Sequence, residues 1–239
     1  MPTMTFCFFL SVRTAPDQPV VELSESSLAS LHDLASEAAD LSQLRVHTPT
    51  SAHDPMLDDG SGPALVMQAL FDRIDSLEAA VSQGGIFQEL MATDALKSLA
   101  GADITQQAML VRSFPVPEVR EELGHGKPHC TYLVAYEGPA QDTSAWLTHY
   151  LDGHPSLMAQ LPGIRRIEVY SRLDWCGSLP WPRANHMQRN QVAFDSPGAL
   201  TTALASPLRA QMREHFEHLP SFSGAVTHFP MRTTISSPC

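Results

Sequence analysis

Residues 185–204 read NHMQRNQVAFDSPGALTTAL, and residues 62–81 read GPALVMQALFDRIDSLEAAV. Laid over one another without a gap, Gln68 falls on Gln191, Phe71 on Phe194, Asp72 on Asp195, Leu77 on Leu200 and Ala80 on Ala203, at a constant separation of 191 − 68 = 123. Each stretch ends a strand-like run at a polar break and then opens a helix-like one, in which apolar residues recur at helical spacing. The same separation carries Cys7 onto Cys130 and Leu10 onto Leu133, in two apolar runs that each look like a first strand. The identities are few, but a missed repeat miscalls a whole fold, and the order of elements repeats as well.

Working outward, the first half predicts a strand at Thr5–Val12, a helix at Ser24–Leu41 and a short strand near Leu44–His47. An Asp-rich polar loop follows at Ser51–Gly62. Then come a strand at Ala64–Phe71, a helix at Ser76–Leu99 broken at Gly84-Gly85, and a strand at Gln106–Phe114. The second half predicts strands at Thr131–Tyr136, Ile164–Leu173, Gln188–Phe194 and Gly224–Arg232. Its helices fall at Ser144–Leu161 and at Ala199–Phe216, the latter broken near Pro207. The pattern is βαββαβ twice, the ferredoxin-like arrangement. A sheet of that kind has helices on one face and an open apolar face on the other, and two such sheets bury both by packing together. The expected fold is therefore α+β: two tandem units, 1–114 and 128–235, joined by a linker at 115–127 and packed as an intramolecular barrel. The first unit reads as a degenerate copy. A monomer satisfies this scheme, and a homodimer is compatible with it.

Composition narrows the function. The chain has 239 residues, 43% hydrophobic and 17% charged, with a formal net charge of −11. That mix belongs to a globular protein with its own core. The acidity argues against nucleic acid and anionic membrane surfaces as partners. Four dispersed cysteines, an amino terminus without a basic leader and no apolar run of membrane length predict a reduced, cytoplasmic protein. No G-x-G-x-x-G, P-loop, G-x-S-x-G or H-E-x-x-H occurs. No metal is expected: His215 and His218 are three apart but have no evident third ligand, and His125 and His129 lie at the linker.

Residues 142–170 read DTSAWLTHYLDGHPSLMAQLPGIRRIEVY. Here His154-Pro155-Ser156-Leu157 precedes Pro162-Gly163-Ile164-Arg165. The stretch resembles the EthD family of the dimeric α/β barrel superfamily, in which an aromatic residue and a helical His-x-Pro-Leu element or close variant precede a Pro-Gly and an aliphatic-Arg pair opening the next strand; here Pro155 follows His154 directly. The resemblance implies a pocket between helices and sheet with His154 as its histidine. It also implies small-molecule chemistry of the kind run by cofactor-free enzymes on aromatic and polyketide-like compounds, or haem binding.

The residues themselves support such a site. Trp146, Tyr150, His154 and Leu157 share one helix face. An imidazole among leucines and aromatics is an acid–base group in a ligand-like setting. His154, Tyr150 and His186 are the candidate catalytic residues. Arg189 and Asn190, in the unusually polar strand Met187–Asp195, are candidates for binding an oxyanion. Trp175 and Trp181, in the long loop Asp174–His186, predict an aromatic lid, and His228 on the last strand completes the candidate set together with Trp146. The expected function is a cofactor-independent enzyme of lyase, dehydratase or isomerase type acting on a hydrophobic small molecule. The alternatives are a cofactor-free oxygenase, a haem- or ligand-binding protein with His154 as axial ligand, and a non-catalytic interaction protein. The enzyme reading requires a hollow in the second half only.

Overall fold

A computed structural model of the chain describes residues 4–14, 23–38, 40–117, 123 and 127–237. Eight antiparallel strands close a barrel: β1 (Thr5–Arg13), β2 (Leu41–Pro49), β3 (Leu65–Phe71), β4 (Asp103–Phe114), β5 (His129–Tyr136), β6 (Arg166–Arg172), β7 (Gln188–Phe194) and β8 (Val226–Ser236). Six α-helices accompany them: α1 (Glu25–Ser36), α2 (Ile74–Val81), α3 (Asp94–Ser98), α4 (Thr143–Met158), α5 (Pro197–Leu204) and α6 (Leu208–Glu217). A 3-10 helix at Ile86–Ala92 joins α2 to α3. Among the described residues no helix is long and apolar enough to cross a membrane. Most of the predicted linker, with His125, lies outside the described residues.

Around the barrel the order is β4-β1-β3-β2 through the first half and β8-β5-β7-β6 through the second, so corresponding strands hold corresponding places. Antiparallel pairs β2·β8 and β4·β6 join the halves. Each half covers the other's edges, and no unpaired strand edge remains to invite association. The barrel closes without a second copy of the chain.

The 123-residue separation has a physical meaning at the centre. Gln68 Nε2 donates to Gln191 Oε1 at 2.9 Å, and Arg45 forks onto Glu168, its counterpart at the same spacing. Residues that touch their own counterparts mark a pseudo-two-fold axis, as at an isologous dimer interface. Glu168 also accepts from Tyr170 and Gln191, so this buried ion pair is fully hydrogen-bonded. The pairing of Arg45 holds the Glu168 carboxyl down at about 2 against the opposing effect of burial.

One expected correspondence is out of phase. Cys7 pairs with Met109 and faces the barrel interior, whereas the residue paired with Met231 is Thr131, next to Cys130. Cys130 points outward into the second half's helix-covered core. A one-residue slip along a strand reverses every face, so β1 and β5 correspond at a separation of 124, although β3 and β7 correspond at 123.

The helices cover two separate outer cores. The first is built on Phe8, Leu10, Phe71, Leu77, Phe87 and Leu90, and the second on Tyr132, Tyr136, Trp146, Tyr150, Phe194 and Leu200. Differences from the predicted elements are local. Helix α1 stops at Ser36 because Leu41–Pro49 is claimed by pairing to both β3 and β8. The predicted break in Ser76–Leu99 falls where Gly85 lies against the carbonyl oxygens of Ala79 and Ala80, a place with no room for a Cβ.

Candidate functional site

A hollow of about 320 Å³ opens between the sheet and the carboxyl-terminal parts of α4 and α6. A smaller recess of about 40 Å³ continues it toward β7. Both are bordered by Tyr136, His154, Arg209, Met212 and His228. The sequence builds this place simply. Tyr132, Val134 and Tyr136 alternate onto the outer face of β5, and His228 comes from the outer face of its neighbour β8. Arg209, Met212 and Phe216 recur at helical spacing on α6 and face the same space.

Helix α4 supplies His154, which is 7% exposed. Asp142 caps the helix start by accepting from the Ala145 N–H. The helix runs through Gly153 and Pro155, so His154 lies inside it and not at its end. A Cβ on Gly153 would stand 2.1 Å from His215 Nε2, so the missing side chain is what admits His215. The two imidazoles meet through Nδ1 atoms 3.3 Å apart, one donating and the other accepting. His154 also lines the hollow, and with Nδ1 engaged Nε2 is the ring nitrogen left for a ligand. Burial, with His215, Arg209 and His228 nearby, pushes the His154 pKa down to about 3. It is therefore neutral at pH 7 and unable to store a proton there. The ring of exposed His149 lies 4.9 Å from that of His215, so three imidazoles lead from the hollow to the surface.

The acidic loop 50–64 comes from the first half and crosses onto this site. Asp54 accepts from Tyr132 Oη and from Arg209 Nη2, both at 2.8 Å. Asp59 accepts from the His228 backbone N–H and pairs with its Nδ1 at 2.8 Å. An aspartate on Nδ1 fixes the ring and leaves His228 Nε2 as a proton acceptor. Burial still lowers the His228 pKa despite Asp59. Sequence reasoning missed Arg209, Asp54, Asp59, Tyr136 and His215 as members of one site. The Asp-rich loop and the alternating tyrosines of β5 were the available signals.

The predicted residues fall into three places. His154 and His228 border the hollow, and Asn190 borders its recess. Tyr150 is wholly buried one layer back, where its hydroxyl accepts from Asn190 Nδ2 at 2.7 Å and interacts with Tyr136. Burial raises its pKa well above the usual phenol value, and that of Tyr136 to about 12. Trp146 does not border the hollow: it stacks on Tyr150 at 5.3 Å and is sealed by Tyr136 and Phe222. Trp146, Tyr150 and His154 are all buried along α4, and of these only His154, nearest the helix's carboxyl end, borders the hollow.

Arg189 and Asn190 do not act together, because adjacent strand residues point to opposite faces. Arg189 faces the barrel interior with His186, whose Nδ1 lies 3.0 Å from Arg189 Nη2. Trp175 and Trp181 are no lid for the hollow. Trp175 packs edge-on against Phe8 at 5.7 Å in the first half's core, under Arg183, and Trp181 packs beside it. Their loop is pinned to β4 by Gln106, which donates to the carbonyls of Leu179 and Trp181.

The hollow lies at the small end of ligand pockets, which hold about 300–1,000 Å³. Among the described residues no cluster of three or more His, Cys, Asp or Glu forms a metal-ligand set.

No protein-family model matches the chain, and no curated protein matches it. Solved structures do. An anthrone oxidase-like protein superposes with a TM-score of 0.64 at 14% identity, over 98% of this chain and 93% of that one. The fold is that of a dimeric α/β barrel. Two proteins assigned as monooxygenases share the barrel: one from Fusobacterium nucleatum, with TM-score 0.56, 7% identity and coverage of 99% and 96%, and one from Lactobacillus acidophilus, with TM-score 0.52, 11% identity and coverage of 98% and 96%. The likeness extends over nearly the whole chain, so the barrel with both halves is the unit compared.

Proposed function

We propose that the protein is a cofactor-independent enzyme acting on a hydrophobic, aromatic or polyketide-like small molecule in the helix-side hollow of the second half. One observation carries the reading: an uncharged imidazole that lines a partly apolar hollow has its Nδ1 on a neighbouring imidazole leading toward the surface, which leaves Nε2 for a ligand. His154 Nε2 removes a proton from an acidic C–H or O–H of the substrate. The His154 Nδ1 proton moves to His215 and leaves by way of His149, so no imidazolium has to persist in the buried position. Arg209 and the Tyr136 hydroxyl face the resulting anion, His154 Nε2–H returns the proton at a second atom, and His228 Nε2 accepts a hydrogen bond from the substrate. Return of the proton, with or without loss of a leaving group, gives isomerase, lyase or dehydratase chemistry. In the oxygenase variant the same anion gives its electrons to dioxygen.

The EthD-like stretch 142–170 supports the role of His154. The shared strand order supports two ferredoxin-like units, 1–114 and 128–235, descended from one duplicated unit. Free Cys7, Cys130 and Cys176 fit a reducing, cytoplasmic setting. Because a protein named for anthrone oxidase-like character shares the fold, anthrone is the first probe. Its activated ring carbon reports proton removal as deuterium exchange, and its conversion by dioxygen to anthraquinone and water reports the oxygenase variant. His154→Ala should slow exchange by about 10²–10⁴-fold. Wild-type exchange at the rate of buffer alone, or full exchange by the variant, overturns the proposal.

A further inference from the structure

The other face of β7 borders a second cavity. A chamber of about 80 Å³ lies inside one end of the barrel, with Phe9, Val66, Leu133, Tyr170 and Phe229 among its walls. It opens past Arg13, Thr105, His186 and Thr227 into a vestibule of about 760 Å³. Among the described residues none lining the chamber is acidic, and Glu137 is the one carboxylate lining the vestibule.

Arg189 is the unexplained group. Arg45, Arg165 and Arg209 each meet a carboxylate. Arg189 instead reaches a neutral acceptor, His186 Nδ1, and stacks over the Phe9 ring at 4.8 Å. Its Nε is buried with no hydrogen-bond partner. A guanidinium can only donate, so His186 accepts through Nδ1 and carries its own proton on Nε2. Burial beside Arg189 and Arg13 keeps that ring uncharged, down at about 3, which agrees with this tautomer. The chamber thus presents a guanidinium, an imidazole N–H and the hydroxyls of Ser11, Thr105 and Thr227 against an apolar wall. Arg13 stands at the mouth over the Phe229 ring, and Arg172 stands in the vestibule. With no carboxylate among the described residues that line the chamber, these donors, in a chain of net charge −11, are the complement of an anion.

We propose that the barrel-end chamber binds the carboxylate group of a small organic acid, with Arg189 and His186 as its donors and the vestibule receiving the rest of the molecule. The planar fork of arginine matches a carboxylate, and the aromatic and aliphatic wall favours an organic acid over inorganic phosphate. The chamber takes roughly two to three waters' worth of volume at about 30 Å³ each, enough for a carboxylate group.

Calorimetric titration of the full chain with propionate, benzoate, benzamide and inorganic phosphate tests this. At least one carboxylate should bind, and benzamide and phosphate should bind more weakly. Arg189→Met, which keeps the apolar stem, should weaken carboxylate binding by roughly 10- to 100-fold. His154→Ala should leave it unchanged, which separates this site from the helix-side hollow. If Arg189→Met does not fold by circular dichroism, His186→Phe decides, with an expected loss of roughly tenfold. No carboxylate binding at tens of millimolar, binding indifferent to these substitutions, or tighter binding of phosphate overturns the proposal.

Discussion

Two loops occupy corresponding places and exchange halves, yet they do opposite things. Loop 174–186 leaves the second half and lies on the first, where the Cys176 N–H donates to Glu78 Oε1 at 2.8 Å. Loop 50–64 leaves the first half and lies on the second, where the His53 N–H donates to Thr201 Oγ1 at 3.1 Å. Donor and acceptor in the two bonds correspond at the same 123-residue separation. One residue earlier in each loop, Trp175 stands where the other loop has Ala52. Trp175, 8% exposed, fills the first half's helix–sheet space against Phe8, and Phe87 packs on both Phe8 and Phe71. Ala52 is a small residue packed against the second half's core, and loop 50–64 contributes Met56, Leu57 and Asp59 to the border of the hollow. One scaffold thus carries a packed core on one side and a hollow on the other, and Trp175 against Ala52 is one difference between them.

The largest expected effect comes from removing the plug. Trp175→Ala should cost about 3–5 kcal/mol in urea denaturation, because a large buried ring is lost and the loop bonds hold the void open. A loss below about 1 kcal/mol would mean that Trp175 is not what makes the first half solid.

Acid titration separates the halves by another route. His154 has an unfolded value near 6.5 and a folded value of about 3, so the unfolded chain binds its proton first as pH falls. Its contribution is complete above about pH 6.5 and is lost between about 6.5 and 3, at up to about 1.4 kcal/mol per pH unit. Buried His47, with a folded value of about 3, and His129, of about 4, add to the same decline. Stability measured between pH 7 and 5 should therefore fall for the wild type and fall less steeply for His154→Gln. Parallel slopes would place His154 in contact with water.

Filling the hollow tests the reverse substitution. Ala52→Trp should weaken binding of 1-naphthol by about tenfold or more, or ~1.4 kcal/mol, in a fluorescence titration, without unfolding the protein. The smallest stability change is expected at Gly153→Ala. Alanine gains up to about 1 kcal/mol in a helix interior, while its Cβ evicts His215. Thermal stability should move little while anthrone exchange drops. Unaltered exchange would remove His215 from the proton path.

Much of the fold was legible because hydrophobic period and turn residues report it directly. Strand Gln188–Phe194 was predicted residue for residue, and the breaks at Gly84-Gly85 and Pro207 fall between observed helices. The phase of β1 against β5 was not legible, since a single-residue slip preserves an apolar run while reversing its faces. The site was half legible. His154 and His228 carry their chemistry in the side chain and lie on predictable faces. Arg189 and Asn190 were joined as neighbours in sequence, although a strand sends them into different cavities. The aromatic loop was expected over the nearest site, but the halves trade loops, and that exchange is set by the closed barrel and not by any local pattern. Tyr150 and Trp146 share the stripe of His154, yet only packing reveals where along α4 the sheet and helix part.

The central claim, one solid half and one hollow half with His154 at its wall, is tested most directly by a crystal structure soaked with 1-naphthol. The account predicts the ring between α4, α6 and the second sheet, with its oxygen within hydrogen-bond distance of His154 Nε2, and no ligand between α1, α2 and the first sheet. Naphthol seated against Phe8 and Trp175, or a second-half space closed by side chains with His154 turned to solvent, would contradict it.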